Sequence, residues 1–177
     1  MAELLCTVVI VILLTQCLTV GMGIGSRAFG ETYDHSKAQT LSSSLNFLIA
    51  DELRTAVQAE GEDDFTDVNG DFVYKSATYG KQAKIYVSTE DKNKGQIIIE
   101  TFADEKKDKY NATHDIYKLA STALYGKNLQ VANFNIDPPD ADGSTAKNGV
   151  FKVSYDIIKK NTSKVLTSNS FEVKYIG

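Results

Sequence analysis

Apolar residues fall along this chain in three regimes, and each predicts a different kind of element. From Leu4 to Ile24 no charged side chain occurs. Such a run is long enough to cross about 30 Å of hydrocarbon as one helix, with Leu4, Val8, Val11, Leu14, Leu18 and Ile24 as membrane-spanning positions. Gly21, Gly23 and Gly25 close the run. Glycine weakens a helix by about 1 kcal/mol relative to alanine, so this is where loosening or bending is expected. In membrane helices glycines also permit close helix–helix approach.

From Phe29 the pattern becomes one-sided. Phe29, Tyr33, Leu41, Leu45, Leu48, Ile49, Leu53 and Val57 follow steps of three and four, the stripe of an amphipathic helix. Asp51, Glu52 and Arg54 are expected on the opposite face, and Gly61 as the stop. Gly30 and the polar Asp34-His35-Ser36-Lys37 patch are the places where this helix could be interrupted. As one helix, residues 4–60 would measure roughly 80 Å at the standard rise.

Beyond Gly61 the period drops to two. Phe72-Val73-Tyr74 predicts a short strand. Ala83–Thr89 and Gln96–Phe102 flank the polar Glu90–Gly95 segment and predict a hairpin. Asp115–Tyr125 fits either a short helix ending at Gly126 or a strand, and Leu129–Phe134 predicts another strand. Pro138–Ser144 is a loop that no sheet interior would tolerate, and charged Ala103–Thr113 is expected to be exposed. Gly149–Ile157 and Phe171–Ile176 alternate cleanly and predict a closing hairpin through Asn161-Thr162-Ser163. The fold class is therefore α+β: a long N-terminal helix, transmembrane then amphipathic, packed on an antiparallel sheet. The segments are 1–26, 27–60 and 61–177.

Composition narrows the function. At 177 residues, 42% of them apolar with the anchor included, the chain is one anchor plus one domain with an ordinary core. A net charge of −4 leaves no excess of Lys or Arg, so no broad nucleic-acid-binding face is expected. Both cysteines, Cys6 and Cys17, lie in the apolar run, so the outer domain must hold together by packing alone. The histidines, His35 and His114, are far apart and outside any metal-binding spacing. Asp67-Val68-Asn69-Gly70-Asp71 opens like a calcium loop, but Phe72 and Thr78 stand where glycine and an acid belong, and a hairpin turn explains it more simply. Gly21-x-Gly23 lacks the third glycine of a phosphate loop. Asn111-Ala112-Thr113 and Asn161-Thr162-Ser163 match the glycosylation pattern and also read as turns. No cofactor, metal or catalytic constellation is expected.

One acid stands out. Glu3 begins the apolar run, where an uncompensated carboxylate is costly and marks a functional position. No Lys or Arg occurs before Arg27, more than about 30 Å away along a helix, so the partner must come from elsewhere. A secretory signal peptide would carry Lys or Arg ahead of a shorter apolar core. A lipoprotein site would place a small residue where Gln16 precedes Cys17. A plain single-pass anchor fits the run but has no use for the acid. Counting basic residues alone, Arg27 and Lys37 place the C-terminal side in the cytoplasm, and a basic leader would reverse that orientation.

Ala2-Glu3-Leu4-Leu5 followed by Thr7-Val8-Val9-Ile10-Val11-Ile12-Leu13-Leu14 resembles the N-terminal helix of type IV pilins and pseudopilins. Mature members of that family begin Phe-Thr-Leu-x-Glu-Leu-Leu. The closing hairpin after a long helix resembles clostridial-type, Gram-positive pilin-like proteins. The resemblance implies that Glu3 is the family's intramembrane assembly Glu and that Met1 falls on the third mature residue. The basic leader, its final Gly and the first two mature residues are then expected upstream. It further implies a minor pilin or pseudopilin, stored in the cell membrane and assembled into an extracellular filament. Its partners would be other pilin subunits through their N-terminal helices, an assembly platform and a prepilin peptidase. The competing reading is a single-pass, membrane-tethered binding module that never polymerises.

Overall fold

One helix, α1, runs from Ala2 to Arg54 in the computed structural model, which describes residues 2–57, 65, 72–102, 114–138, 149–174 and 176. It continues through Gly21, Gly23, Gly25 and Gly30 and through the Asp34–Lys37 patch, so none of these interrupts it. The reason is that glycine weakens a helix without removing a backbone hydrogen bond, whereas proline removes one, and the only prolines are Pro138 and Pro139. The helix stops earlier than the expected 60. Val57 is drawn into an antiparallel bridge with Lys75, donating to its carbonyl at 3.2 Å and accepting from its N–H at 2.8 Å. The Ile176 N–H satisfies the Arg54 carbonyl at 2.9 Å, one of the orphan acceptors of the last turn.

The chain divides into two compact units, Met1–Lys37 and Ala38–Gly177. Within the second, the α1 residues Ala38, Leu41, Leu45, Ile49 and Leu53 are completely buried and form the helical side of the core. Each buried leucine or isoleucine contributes about 1.5–3 kcal/mol relative to exposure. The expected stripe needs correction at three positions. Phe29, Tyr33 and Val57 are exposed, because the buried positions of α1 begin only at Ala38. Glu52 also departs from expectation, being buried instead of facing outward with Asp51 and Arg54. At 100° per residue it stands two turns after Leu45 and so falls inside the stripe.

The core is closed by two antiparallel sheets. The first contains β1 (Val73–Lys75), β2 (Gln82–Val87), β3 (Ile97–Phe102) and β4 (His114–Lys118), in that order. The expected hairpin is present as β2 and β3, with Ile85 opposite Ile99. The ambiguous Asp115–Tyr125 segment is both things in succession: strand β4, then the single-turn helix α2 (Thr122–Tyr125). Ser121 caps α2 by accepting the Ala123 N–H, and Gly126 ends it with a positive φ. The second sheet contains β5 (Leu129–Asp137), β6 (Val150–Lys159) and β7 (Val165–Lys174). Phe151, Val153, Tyr155 and Ile157 alternate inward from β6, and Val173 joins them from β7. Phe65 packs edge-on to Phe151 at 5.0 Å and stacks with Phe72 at 6.2 Å.

The two sheets approach closely at Gly95. Gly95, at the end of the β2–β3 turn, accepts the Val131 N–H of β5 at 2.8 Å. Its φ is +75°, and a Cβ there would stand 2.3 Å from the Gln130 Cβ. Only glycine fits without displacing the strand. Met1, Gly61, the expected turn at Asp67–Asp71, Ala103–Thr113 with its Asn111 sequon, Pro139–Ser144 and Tyr175 lie outside the described residues.

Candidate functional site

The N-terminal segment of α1 carries the candidate chemistry. It is apolar and long enough to cross a membrane, and its apolar run is not buried by the rest of the described residues. All six expected membrane-spanning positions are exposed, from 49% at Val8 to 71% at Leu4, with Val11, Leu14, Leu18 and Ile24 between. A contiguous apolar surface on this scale is not left to water in a soluble protein; it marks a membrane or protein contact.

Polar side chains inside the run are mostly neutralised by the helix. Thr7 donates to the Glu3 carbonyl at 2.8 Å, Thr15 to the Val11 carbonyl at 2.8 Å and Thr19 to the Thr15 carbonyl at 2.8 Å. This back-bonding lets threonine enter an apolar medium with no unpaired donor. Glu3 sits in the first turn, where the positive end of the helix dipole favours an anion. Its carboxylate has no hydrogen-bond or ionic partner among the described residues. Gln16, in the middle of the run, is in the same situation. Cys6 and Cys17 are free and exposed.

The α+β unit carries two buried polar clusters that periodicity did not reveal. Glu52 accepts from the Tyr74 hydroxyl at 3.2 Å, from the Ser76 hydroxyl, and from Thr78 Oγ1 at 3.0 Å. Burial, with the Glu52 charge beside it, pushes the Tyr74 phenol far above its ordinary range. In the second cluster, Tyr155 donates to the Asn46 carboxamide oxygen at 2.7 Å, and Asn169 donates to Ser42 Oγ at 2.7 Å and to the same Asn46 oxygen at 2.9 Å. Burial raises the Tyr155 hydroxyl, opposed by its bonds to Ser42 and Asn169. Tyr125, whose hydroxyl accepts the Ile97 N–H, is pushed up to about 12 by burial. These groups tie α1 and α2 to the sheets. A sequence signal existed for Glu52 in helical arithmetic, but none for its partners, which lie far along the chain.

On the surface, hydrogen bonds from Ser168 and Asn133 hold the Asp156 carboxyl below its usual range. His114 lies 3.8 Å from Glu100, and His35 is exposed. Among the described residues no three His, Cys, Asp or Glu side chains gather as metal ligands would.

Fold and helix together define an α+β protein with one membrane-capable N-terminal helix. Compared with known protein families, curated proteins and solved structures, the chain matches none.

Proposed function

We propose that this chain is a structural subunit, a minor pilin or pseudopilin, of a type IV pilus-like filament serving surface pili, DNA uptake or protein secretion. The observation that carries the reading is Glu3: a lone acid in the first turn of an exposed apolar helix, with no Lys or Arg between it and Arg27. A buried carboxylate there costs several kcal/mol unless a cation offsets it. A neighbouring subunit's N-terminal amine is a cation of suitable size, and other pilin subunits are then the principal partners. An assembly platform and a prepilin peptidase follow from the same reading, with storage in the cell membrane before export.

The α+β domain supports it in a second way. Its core is filled by its own side chains and its buried polar groups mainly serve to hold α1 and the sheets together, as suits a subunit that presents a surface. The alternative, a tethered binding module, rests on the same apolar helix and leaves Glu3 without a role.

The test is Glu3→Gln in the protein expressed from its own gene, with the membrane pool and sheared surface fibres quantified separately. Membrane insertion should be retained and entry into fibres impaired. Equal incorporation of mutant and wild type would remove the filament reading and leave the tether.

A further inference from the structure

We infer that Gln16 joins two copies of this chain inside the bilayer, as a self-complementary carboxamide pair on one seam of the N-terminal helix. The inference rests on that helix spanning a membrane and requires no filament.

Gln16 lies within the uncharged Leu4–Ile24 run, eight residues before Ile24 and so about 12 Å inside the nearer end. The threonines around it are satisfied by carbonyls one turn earlier, whereas the Gln16 carboxamide has no partner among the described residues. In hydrocarbon there is no water to satisfy it, and an unpaired amide costs on the order of several kcal/mol. Lipid tails offer neither donor nor acceptor.

A second copy offers both, because a carboxamide donates through its NH2 and accepts through its oxygen. Two parallel helices meeting at this position can exchange hydrogen bonds without any third group. The chemistry therefore selects the same residue on an identical chain ahead of a partner of fixed charge.

The neighbouring residues define the seam. Leu5, Val9, Ile12, Gln16, Thr19 and Gly23 follow alternating steps of four and three, the spacing of a helix-pair interface with Gln16 at a core position. A single polar residue at such a position fixes register and partner number. Gly23 falls within about 20° of Gln16 around the helix, two turns on. A Cβ added at Gly23 would meet nothing within 4 Å among the described residues, which leaves room for close approach. Gly21 and Gly25, equally open, lie about 140° and 180° away and would define a different face.

The test uses the full chain in phosphatidylcholine vesicles, labelled with donor or acceptor at Ser170→Cys in a Cys6→Ala, Cys17→Ala background. Energy transfer is followed against protein-to-lipid ratio, and alkaline extraction reports insertion. Wild type should associate. Gln16→Leu should weaken association about three- to thirtyfold. Gln16→Asn should retain most of it, Gly23→Leu should weaken it, and Gly21→Leu should leave it unchanged. Failure to insert would overturn both the membrane reading and this inference. A fully inserted but monomeric wild type, or an inserted Gln16→Leu variant that associates normally, would overturn this inference alone. Loss on Gly21→Leu with no effect of Gly23→Leu would likewise replace the seam with the opposite face.

Discussion

Replacing Gly95 by alanine should damage this domain far more than the addition of one methyl group suggests. Two costs add. At φ +75° an L-residue with a Cβ is strained by roughly 1–2 kcal/mol. The new Cβ would also stand 2.3 Å from the Gln130 Cβ and 3.3 Å from its Cα, so it meets the rooted part of a strand residue that no rotamer change can move. Overpacking of that kind costs typically 1–3 kcal/mol. The sum, about 2–5 kcal/mol, is a large share of the 5–15 kcal/mol that ordinarily separates folded from unfolded domains. The displacement also threatens the hydrogen bond from Val131 to the Gly95 carbonyl, which joins the β2–β3 turn to β5. Gly80→Ala is the matched control, since Gly80 has φ +66° but open space around its missing Cβ, so only the conformational cost applies. With no tryptophan in the chain, denaturant unfolding can be followed by the near-ultraviolet signal of its nine tyrosines. Gly95→Ala should lose at least about 1 kcal/mol more than Gly80→Ala, the low end of the overpacking range. Gln130→Gly, which deletes the clashing atom, should recover most of that difference in the double mutant. Equal destabilisation by the two alanine variants would refute the steric argument.

Leu45→Ala should cost about 2–5 kcal/mol, because the side chain is completely buried, while Phe47→Ala on the exposed face of the same helix should stay within about 0.5 kcal/mol by the same unfolding assay. Glu52→Ala leaves the buried Tyr74 and Ser76 hydroxyls without their acceptor and should cost about 2–4 kcal/mol; Glu52→Gln, which keeps one oxygen in place, should cost less. Asp156, with a folded pKa held below its unfolded value, contributes stability that is complete above the ordinary carboxylate range and fades as pH falls through the folded pKa. Asn133→Ala should therefore raise the Asp156 titration midpoint read by NMR, and an unchanged midpoint would discount that hydrogen bond.

Pattern alone determined most element types here, Asp115–Tyr125 excepted, because a period of two or 3.6 is imposed by backbone geometry whatever the fold. The Leu41, Leu45, Ile49 and Leu53 stripe, the β2–β3 hairpin and the closing β6–β7 hairpin were legible on that ground, although β7 begins at Val165, six residues before the expected Phe171, and ends at Lys174. So was the membrane-capable run, since length and hydropathy are local properties. Periodicity does not say where a helix meets its sheet, and for that reason Phe29 and Tyr33 looked like core while burial starts at Ala38. Nor does it pair distant polar groups. Glu52 looked like a surface acid because its partners Tyr74, Ser76 and Thr78 come 22 to 26 residues later and meet it only once β1 is placed. The split of the seven strands among the described residues into sheets of four and three, and the need for glycine at position 95, were likewise decided by tertiary contact. A positive φ and a close approach to Gln130 are properties of two segments brought together, and neither segment carries them alone.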